Sequence, residues 1–411
     1  MAIDPEELKK RRQMRKQAQK KKKRRTLLFL ALGGLVAVII LALILIIGAS
    51  SGNSAEETVP LAPGETAPAD TVLHMAFAGD LNVTERVVAS GGTEYDYTDT
   101  FMDVVPLLAE ADVAALNFEG NFYGAPYGSD HSAPQQLAEA LAAAGVDFVQ
   151  LANSYSIYKG MDGLAKTIHT LQSAKLVPLG AYASTAEARE AKGYTLCQVQ
   201  GIKIAFVSFT KGMDGMALPE GNAGCVNLLY TDYSTDYQKV DTEGITKILE
   251  AVNAEKPDIT VAMLHWGSEY NDNISKTQEQ ICSLMQGLGV DAILGTHSHY
   301  VQKMEFDPQK GTFVAYSLGD FLSDAQKSGS EYSVILDLEV TRSGVTGQTQ
   351  ITNFTYTPIF TVAEKEKSLK ILQIHPAMNA YEDGFLGKVT PETYEAMKYA
   401  LTRIEARITG K

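Results

Sequence analysis

An uncharged apolar stretch, residues 26–50, constrains this chain more than any other feature of its sequence. It reads TLLFLALGGLVAVIILALILIIGAS and contains no Asp, Glu, Lys or Arg. A helix needs about 20 apolar residues to cross a bilayer core of about 30 Å. Residues 1–25 contain 12 Lys and Arg, and basic residues beside a span stay in the cytoplasm. We therefore predict a cytoplasmic tail, a single-pass anchor in the cell membrane, and an extracytoplasmic main domain.

Two other interpretations of residues 26–50 fit less well. A cleaved signal peptide has an apolar region of about 7–15 residues, which is shorter than this stretch. A buried helix of a globular domain rarely stays uncharged over such a length and rarely follows so many cations. We therefore expect an uncleaved transmembrane helix, with the membrane as a partner.

The remainder of the chain is strongly acidic. Of 36 Lys and Arg and 49 Asp and Glu, 12 bases and 3 acids lie in residues 1–25, so the rest carries a formal charge of −22. Such a surface repels polyanions, and we expect no nucleic-acid partner. The basic tail has a composition that can bind nucleic acid, but its position beside the apolar stretch favours a role in membrane topology.

Residues 51–71 form a predicted linker, because they are rich in Ser, Pro, Gly, Thr and acids and poor in large apolar groups. From Val72 onward, short apolar runs alternate with helical stretches, and we predict one domain over residues 72–411. The predicted strands are Val72–Ala78, Val113–Asn117, Phe148–Ala152, Val177–Leu179, Lys203–Phe209, Ile259–His265, Ala292–Leu294, Thr312–Ser317 and Tyr332–Val340. The predicted helices are Gln135–Ala144, Leu164–Ala174, Asp241–Ala254, Lys276–Leu288 and Pro391–Ile408. This alternation indicates an α/β domain, and hairpin-like regions at 194–209 and 312–360 add antiparallel strands.

Polar side chains of the types that bind metals stand at the ends of several predicted strands. Open α/β sheets place their functional sites at such ends. The segments are Phe77–Asp80, Leu116–Gly120, Leu151–Tyr155, Leu264–Glu269 and Leu294–His299, followed by Leu318–Phe321. Taken singly, each has an ordinary structural explanation, such as a turn for Gly-Asp or core packing for His265.

Together these segments indicate a metal site. His265, His297 and His299 are three of seven histidines and fall at two consecutive strand ends, while acids stand at two earlier ends. Mixed carboxylate and imidazole ligands suit divalent Mn, Fe or Zn. We therefore predict a divalent metal ion as cofactor.

The order of the motifs GD, NxE, LAN, HWGxE, GxHxH and LGDF resembles the CapA family of capsule and poly-γ-glutamate biosynthesis proteins, relatives of the calcineurin-like metallophosphoesterases. The resemblance covers Met75–Phe321. It implies a four-layer sandwich, in which helices flank two mixed β-sheets, with a metal centre at one edge. It also implies a membrane-anchored exterior domain and a set of metal ligands: Asp80, Glu119, His265, His297 and His299.

The third motif departs from the family pattern. The family usually reads LANNHxxDYG, whereas this chain reads LANSYSIYKG, with Ser154 for Asn, Tyr155 for His and Tyr158 for Asp. Asp320 likewise replaces the usual Asn of LGNF. The resemblance gives the missing His the task of protonating the leaving group or of stabilising the negative charge that develops. Tyrosine is a poor acid at neutral pH, because its ordinary pKa is about 10.

These observations divide the candidate residues by role. The predicted catalytic residues are His265, His297 and Tyr155. The predicted binding residues are Asn117, Asn153, Ser154, Trp266, Glu269 and Asp320.

Three functions fit this sequence. The first is a metal-dependent hydrolase or transferase that acts at a phosphoryl or acyl centre of a surface polymer, such as poly-γ-glutamate, or of its precursor. The second is a non-catalytic polymer-binding or scaffolding subunit that works beside membrane synthase subunits. In the third, only the fold is shared and the histidines are structural. The recurrence of ligand types in the family's order disfavours the third function, and the sequence leaves the polymer and the metal open.

Overall fold

The computed structural model describes residues 68–325, 327–364, 368–385, 387 and 389–410. The predicted cytoplasmic tail, the predicted span and the predicted linker up to residue 67 lie outside these ranges. Among the helices within them, none is both long enough and apolar enough to cross a membrane.

Fourteen strands in the described residues form two sheets. They are β1 (Thr71–Asn82), β2 (Val113–Glu119), β3 (Phe148–Gln150), β4 (Val177–Leu179), β5 (Tyr194–Val199), β6 (Ile202–Thr210), β7 (Ile259–His265), β8 (Ala292–Thr296), β9 (Met304–Asp307), β10 (Thr312–Ala315), β11 (Asp320–Leu322), β12 (Tyr332–Arg342), β13 (Thr349–Glu364) and β14 (Ser368–Gln373). The first sheet has the order β14-β13-β12-β1-β2-β3-β4, with β11 paired to β1. The second has the order β5-β6-β7-β8-β10-β9.

Both sheets are mixed. In the first sheet, β1 to β4 run parallel, and β12, β13 and β14 add antiparallel pairs. In the second sheet, β6, β7, β8 and β10 run parallel, and β5 and β9 are antiparallel edges. The parallel strands of each sheet point their carboxyl ends toward one edge, which is where such sheets place functional side chains.

Ten α-helices and one 3₁₀ turn connect these strands in the described residues. They are α1 (Glu85–Ala89), α2 (Thr98–Phe101), α3 (Val105–Glu110), the turn Ser129–His131, α4 (Gln135–Ala144), α5 (Gly160–Ser173), α6 (Thr185–Ala191), α7 (Thr242–Ala254), α8 (Lys276–Gly287), α9 (Ile374–Glu382) and α10 (Pro391–Thr409).

The side chains of β1 show how the layers pack. Met75 and Phe77 point into the core between the sheets, where they join residues of β6, β7 and β8. Ala76 and Ala78 point to the opposite face, which α1 to α5 cover. Helices α7 and α8 cover the outer face of the second sheet. The predicted α/β class, with two mixed sheets and flanking helices, is confirmed.

The carboxyl-terminal part belongs to the same packed structure. Strand β14 extends the first sheet, and α10 buries Met397, Ala400, Ile404 and Ile408 in the core between the sheets. The sequence did not predict β14, because Lys370 interrupts its apolar pattern. That lysine is 5% exposed, and its Nζ lies 3.3 Å from Oδ1 of Asp99.

The first strand is longer than predicted at both ends. It begins at Thr71, one residue inside the predicted linker, and continues past Ala78 to Asn82. Beyond an irregularity after Phe77, Asp80 pairs in register with Asn117 of β2. Asp80 therefore lies within a strand rather than in a turn after it.

Candidate metal centre

Strand ends from both sheets meet at one edge of the molecule. His265 ends β7 of the second sheet, and its Nδ1 lies 3.4 Å from Nδ2 of Asn117 in the first sheet. His297 follows β8, and its backbone N–H donates to Oδ2 of Asp80 in β1 across 2.9 Å. The polar side chains that the sequence placed at separate strand ends thus form one cluster.

The first ligand group consists of Asp80, His299 and Asp320, whose candidate ligand atoms all lie within 4.8 Å of one another. Nδ1 of His299 lies 2.8 Å from Oδ1 of Asp320 and 3.9 Å from Oδ2 of Asp80. Asn82 donates from Nδ2 to the same oxygen of Asp320 across 2.9 Å. Asp320, predicted only as a binding residue, therefore stands among the candidate metal ligands.

The second ligand group consists of Glu119, His265 and His297, again with candidate ligand atoms within 4.8 Å of one another. Oε1 of Glu119 lies 3.4 Å from Nδ1 of His265. The rings of His265 and His297 have centroids 4.4 Å apart. Nδ1 of His297 is buried and, within the described structure, has no hydrogen-bond partner. A buried polar atom without a partner destabilises the folded state unless a ligand binds it.

Asn117 joins the two groups. Its Nδ2 lies 2.7 Å from Oδ1 of Asp80 and 3.2 Å from Oε1 of Glu119. Its Oδ1 accepts a hydrogen bond of 3.0 Å from Nδ2 of Asn153, which also donates to the carbonyl oxygen of Phe118. The two predicted binding residues Asn117 and Asn153 therefore hold acidic ligands of both groups in place.

The two histidines of the GxHxH segment adopt left-handed backbone conformations. The φ angles are +87° at His297 and +59° at His299. Non-glycine residues rarely adopt such angles, and they persist where surrounding contacts impose them. Here the conformation directs His297 to the second group and His299 to the first.

Burial raises the pKa of the acids in the cluster. The pKa of Asp80 rises to about 7, mainly through burial, while His299 opposes the rise and Asp320 adds to it. Burial also raises the pKa of Glu119, and the nearby Asp80 reinforces that shift. Two buried carboxyl groups of like charge disfavour ionisation unless a cation compensates them.

The histidines fall into two classes. Burial lowers the pKa of His265, helped by His297, and lowers the pKa of His297, helped by Lys211. Both rings are therefore neutral, which is the form that binds metals. For His299, burial favours the neutral ring, but the charge of Asp320 and the hydrogen bond to it outweigh burial and raise the pKa to about 10. A metal ion that binds His299 would therefore have to displace its proton.

These residues fit a divalent metal ion. Each group offers oxygen and nitrogen donors, and all six residues are at most 6% exposed. A bound cation would coordinate the unpartnered Nδ1 of His297 and compensate the charge of the buried acids. The donor set suits Mn, Fe or Zn and does not distinguish among them. Two adjacent ligand groups are the arrangement expected of a centre that binds one or two metal ions.

The third motif lies against the second ligand group. Oγ of Ser154 is 3.0 Å from Nε2 of His265. Tyr155 forms no hydrogen bond to any ligand in the described contacts; its ring packs on His131, with centroids 4.1 Å apart. Burial raises the pKa of Tyr155 above its ordinary value, and the charge of Glu119 adds to the rise. The hydroxyl of Tyr155 is thus a weaker acid than an ordinary tyrosine.

Two predicted binding residues lie outside the ligand groups. Trp266 is buried between the second sheet and its helices, and its Nε1 donates to the carbonyl oxygen of Tyr316 across 2.9 Å. Glu269 is exposed on the loop after β7. The structure assigns packing to Trp266 and places Glu269 at the rim.

Sequence reasoning missed four residues near the centre. Asn82 contacts Asp320 and follows Asp80 by two positions, so strand alternation could have identified it. Oγ1 of Thr296 lies 3.1 Å from Nδ1 of His265. The Nζ of Lys211 donates to the carbonyl oxygen of Gly267, and its backbone N–H donates to that of His265. Lys211 and His131 belong to no motif; only the fold brings Lys211 to His265 and packs the ring of His131 on Tyr155.

Comparison with known proteins identifies the family of this chain. The family described as "Bacterial capsule synthesis protein PGA_cap" matches residues 74–325. The capsule biosynthesis protein CapA of Bacillus anthracis is 26% identical over 286 residues, which cover 66% of this chain and 65% of that protein. The PGA biosynthesis protein CapA of Bacillus subtilis (strain 168) is 25% identical over 311 residues, covering 73% of this chain and 76% of that protein.

A solved structure, the calcineurin-like phosphoesterase YfkN from Bacillus subtilis, is similar at a TM-score of 0.45 and 14% sequence identity. The match covers 81% of this chain and 100% of that one. No functional assignment follows from a similarity at this level. The sequence match, in contrast, spans more than half of the chain and contains all six candidate ligands. The chain belongs to the family of bacterial capsule synthesis proteins of the PGA_cap type.

Proposed function

We propose that this protein is a membrane-anchored, extracytoplasmic enzyme of capsule or surface-polymer biosynthesis. Its centre binds one or two divalent metal ions and hydrolyses or transfers a phosphoryl or acyl group of a polymer, of the poly-γ-glutamate type, or of its precursor. The observation that carries this proposal is the pair of adjacent, buried ligand groups at an edge where strands of both sheets end.

Each part of the cluster has a task in this proposal. Asp80, His299 and Asp320 would hold one ion, and Glu119, His265 and His297 would hold the other. Bound divalent ions act as Lewis acids that polarise a phosphoryl or acyl oxygen. Asn117 and Asn153 fix the positions of the carboxylates, as partners of ligands do in metal sites generally.

Lys211 supplies a positive charge at the rim of the centre. Its ammonium group donates a hydrogen bond to the carbonyl oxygen of Gly267 and lies 4.7 Å from the centroid of the Tyr237 ring. Among the described residues, no carboxylate forms an ion pair with it. An ammonium held in this way suits an anionic group of the substrate.

The metal content of the purified full-length protein tests this proposal first. Mass spectrometry should find about one or two transition-metal ions per chain. The double variant His297→Ala/His299→Ala removes one ligand from each group and should lose the metal. The control His74→Ala/His169→Ala changes two exposed histidines outside the cluster and should retain it. A parent protein that stays metal-free after incubation with Mn, Fe and Zn refutes the enzyme proposal.

The anchor in this proposal rests on residues 26–50 and their basic flank. Protease treatment of intact cells from which the wall has been removed should digest the domain after the span and spare the tail. Recovery of the full-length protein in the soluble fraction would contradict the proposed location.

A second candidate function is a non-catalytic subunit that binds a surface polymer beside membrane synthase subunits. Ser154 and Tyr155 favour it, because they stand where the family places Asn and His. The two candidates differ in how they depend on metal. If the variant His297→Ala/His299→Ala restores polymer assembly in cells lacking the parent gene, the scaffold function is supported; failure supports the enzyme, provided that the variant remains folded.

A further inference from the structure

His131 is packed against the position where the family's histidine is replaced. The centroid of its ring lies 4.1 Å from that of Tyr155 and 5.3 Å from that of Tyr158. Tyr155 directly follows Ser154, whose Oγ lies 3.0 Å from Nε2 of the candidate ligand His265. An imidazole from a different segment of the chain therefore packs directly on Tyr155, the residue next to Ser154.

The backbone fixes His131 to the end of β2. Asn121, two residues after the candidate ligand Glu119, donates its N–H to the carbonyl oxygen of His131 across 2.8 Å. Its side-chain Nδ2 donates to the carbonyl oxygen of Asp130, also across 2.8 Å. Gly120 permits this approach, because a β-carbon there would lie 3.0 Å from the oxygen of His131 and 2.4 Å from Cγ2 of Val83.

The segment that carries His131 is held in an uncommon conformation. The φ angles are +53° at Asp130 and +54° at His131, and non-glycine residues keep such left-handed conformations only where surrounding contacts impose them. Nδ1 of His131 lies 3.0 Å from the carbonyl oxygen of Val83, so that nitrogen carries the proton in the neutral ring. The described contacts include no hydrogen bond to Nε2, which is the nitrogen left to exchange protons with a substrate.

We propose that His131 is the proton donor to the leaving group at this centre, in place of the histidine that the family has at position 155. This inference rests on the proposed hydrolytic function. The bond from phosphorus or carbonyl carbon to the leaving atom breaks, and its electron pair stays on that atom, which takes the proton from Nε2. Water supplies the hydroxyl group of the new bond, and its remaining proton restores the imidazolium through solvent.

Imidazole suits this task better than the neighbouring phenols, because it exchanges its proton near neutral pH. Burial makes Tyr155 a weaker acid. The charged and titratable groups near His131 in the described contacts include the adjacent Asp130 and the rings of Tyr155 and Tyr158. Nζ of Lys159 lies 2.6 Å from Oδ2 of Asp130, so these two charges compensate each other.

Leaving-group dependence tests this role in the full-length protein loaded with Mn²⁺. Methyl phenyl phosphate needs a proton on its leaving oxygen, whereas methyl p-nitrophenyl phosphate needs little help. We expect His131→Gln to lower kcat/KM for the phenyl ester by about 10²-fold or more, and for the nitrophenyl ester by less than about 10-fold. The basic limb of the pH profile for the phenyl ester should disappear. Equal losses for both esters would mean a structural role and overturn the proposal.

Two further measurements separate this inference from the proposed function. Changing Tyr155→His in the His131→Gln background should recover turnover of the phenyl ester, since it returns an imidazole to the family's position. The control His169→Gln, an exposed histidine on α5, should match the parent. If the parent binds metal and cleaves both esters, and the His131→Gln variant is equally active, only the proposed role of His131 is refuted. A parent without metal refutes the proposed function itself.

A spectroscopic measurement does not depend on turnover. In protein labelled with ¹³C at histidine Cε1, substoichiometric Mn²⁺ should broaden the ring signal of His131 and spare that of His169. If the His131 signal stays sharp while those of the ligand histidines broaden, His131 is too far from the centre and the proposal fails.

Discussion

Gly79 and Gly319 approach so closely that a β-carbon added to Gly79 would stand 1.8 Å from the carbonyl oxygen of Gly319. The next residue, Asp80, donates its backbone N–H to that same oxygen across 2.9 Å. Asp80 and Asp320 each follow one of these glycines and belong to the same ligand group. The contact between the glycines therefore sets the spacing of two candidate ligands.

The substitution Gly79→Ala tests this relationship. The added methyl group must push β1 away from the segment before β11, and such overpacking typically costs about 1–3 kcal/mol. We expect the free energy of unfolding, measured by urea denaturation, to fall by that amount. Metal content should fall as well, because Asp80 and Asp320 no longer converge.

Gly287→Ala is the matched control. Gly287 is the last residue of α8, and no atom lies within 4 Å of the β-carbon that alanine would add. Alanine is favoured over glycine in a helix by about 0.5–1 kcal/mol, so stability should stay equal or rise slightly. If both alanine variants lose the same stability, the contact with Gly319 is not the cause.

Asn117→Ala should weaken both ligand groups at once. The change removes the hydrogen bonds to Asp80 and Glu119 and leaves the buried amide of Asn153 with one partner fewer. Unsatisfied buried polar groups cost about 1–3 kcal/mol each, and loss of a residue that orients ligands lowers metal affinity about 10- to 100-fold. Urea denaturation and competition with a chelator measure the two effects.

Asn253→Ala serves as the control for this prediction. Its side chain is exposed and donates one hydrogen bond, to the carbonyl oxygen of Leu288. We expect a loss of less than about 1 kcal/mol and unchanged metal affinity. Unchanged affinity in Asn117→Ala would show that Asn117 does not organise the centre.

Asp291→Asn should stabilise the protein at neutral pH. Burial raises the pKa of Asp291 to about 6, although the hydrogen bond from the Thr260 N–H opposes this rise. The folded state therefore binds a proton more readily than the unfolded state, whose carboxyl has a pKa near 3.8. The stability contributed by the protonated group is present below about pH 4 and is lost as the pH rises through 6.

The neutral asparagine avoids this loss and can still accept the hydrogen bond from Thr260. At pH 7.5 we expect Asp291→Asn to raise the free energy of unfolding by about 1–3 kcal/mol, with the gain vanishing near pH 4. The control Asp307→Asn should do the opposite at pH 7.5, because the hydrogen bond from the Lys310 N–H lowers the pKa of Asp307. A gain for Asp291→Asn that does not change with pH would exclude the titration of this group as its cause.

Much of this architecture was predictable, because strand–helix alternation and ligand residues at strand ends are local patterns. The sequence named Asp80, Glu119 and three histidines as candidate ligands, and their convergence in the structure follows from the parallel strands. It did not place Asp320 among the candidate ligands, since a short strand such as β11 has no periodicity of its own. It also gave no sign of His131, which a backbone hydrogen bond from Asn121 ties to the end of β2 and whose ring packs on Tyr155.

Trp266 shows the limit of reasoning from motifs. It directly follows His265 in the HWGxE segment, and the sequence analysis names it as a binding residue. Successive residues of an extended strand point to opposite faces. The ring of Trp266 therefore enters the core beneath α8, while His265 faces the centre.

Trp266→Phe and His265→Ala should accordingly have different consequences. Trp266→Phe removes the hydrogen bond to the carbonyl oxygen of Tyr316 and leaves a small cavity, so the free energy of unfolding should fall by about 1–3 kcal/mol. Its metal content, measured by mass spectrometry on the folded protein, should equal that of the parent. His265→Ala should lose metal, because it removes a ligand of the second group. If Trp266→Phe also loses metal while its stability is unchanged, Trp266 takes part in binding after all.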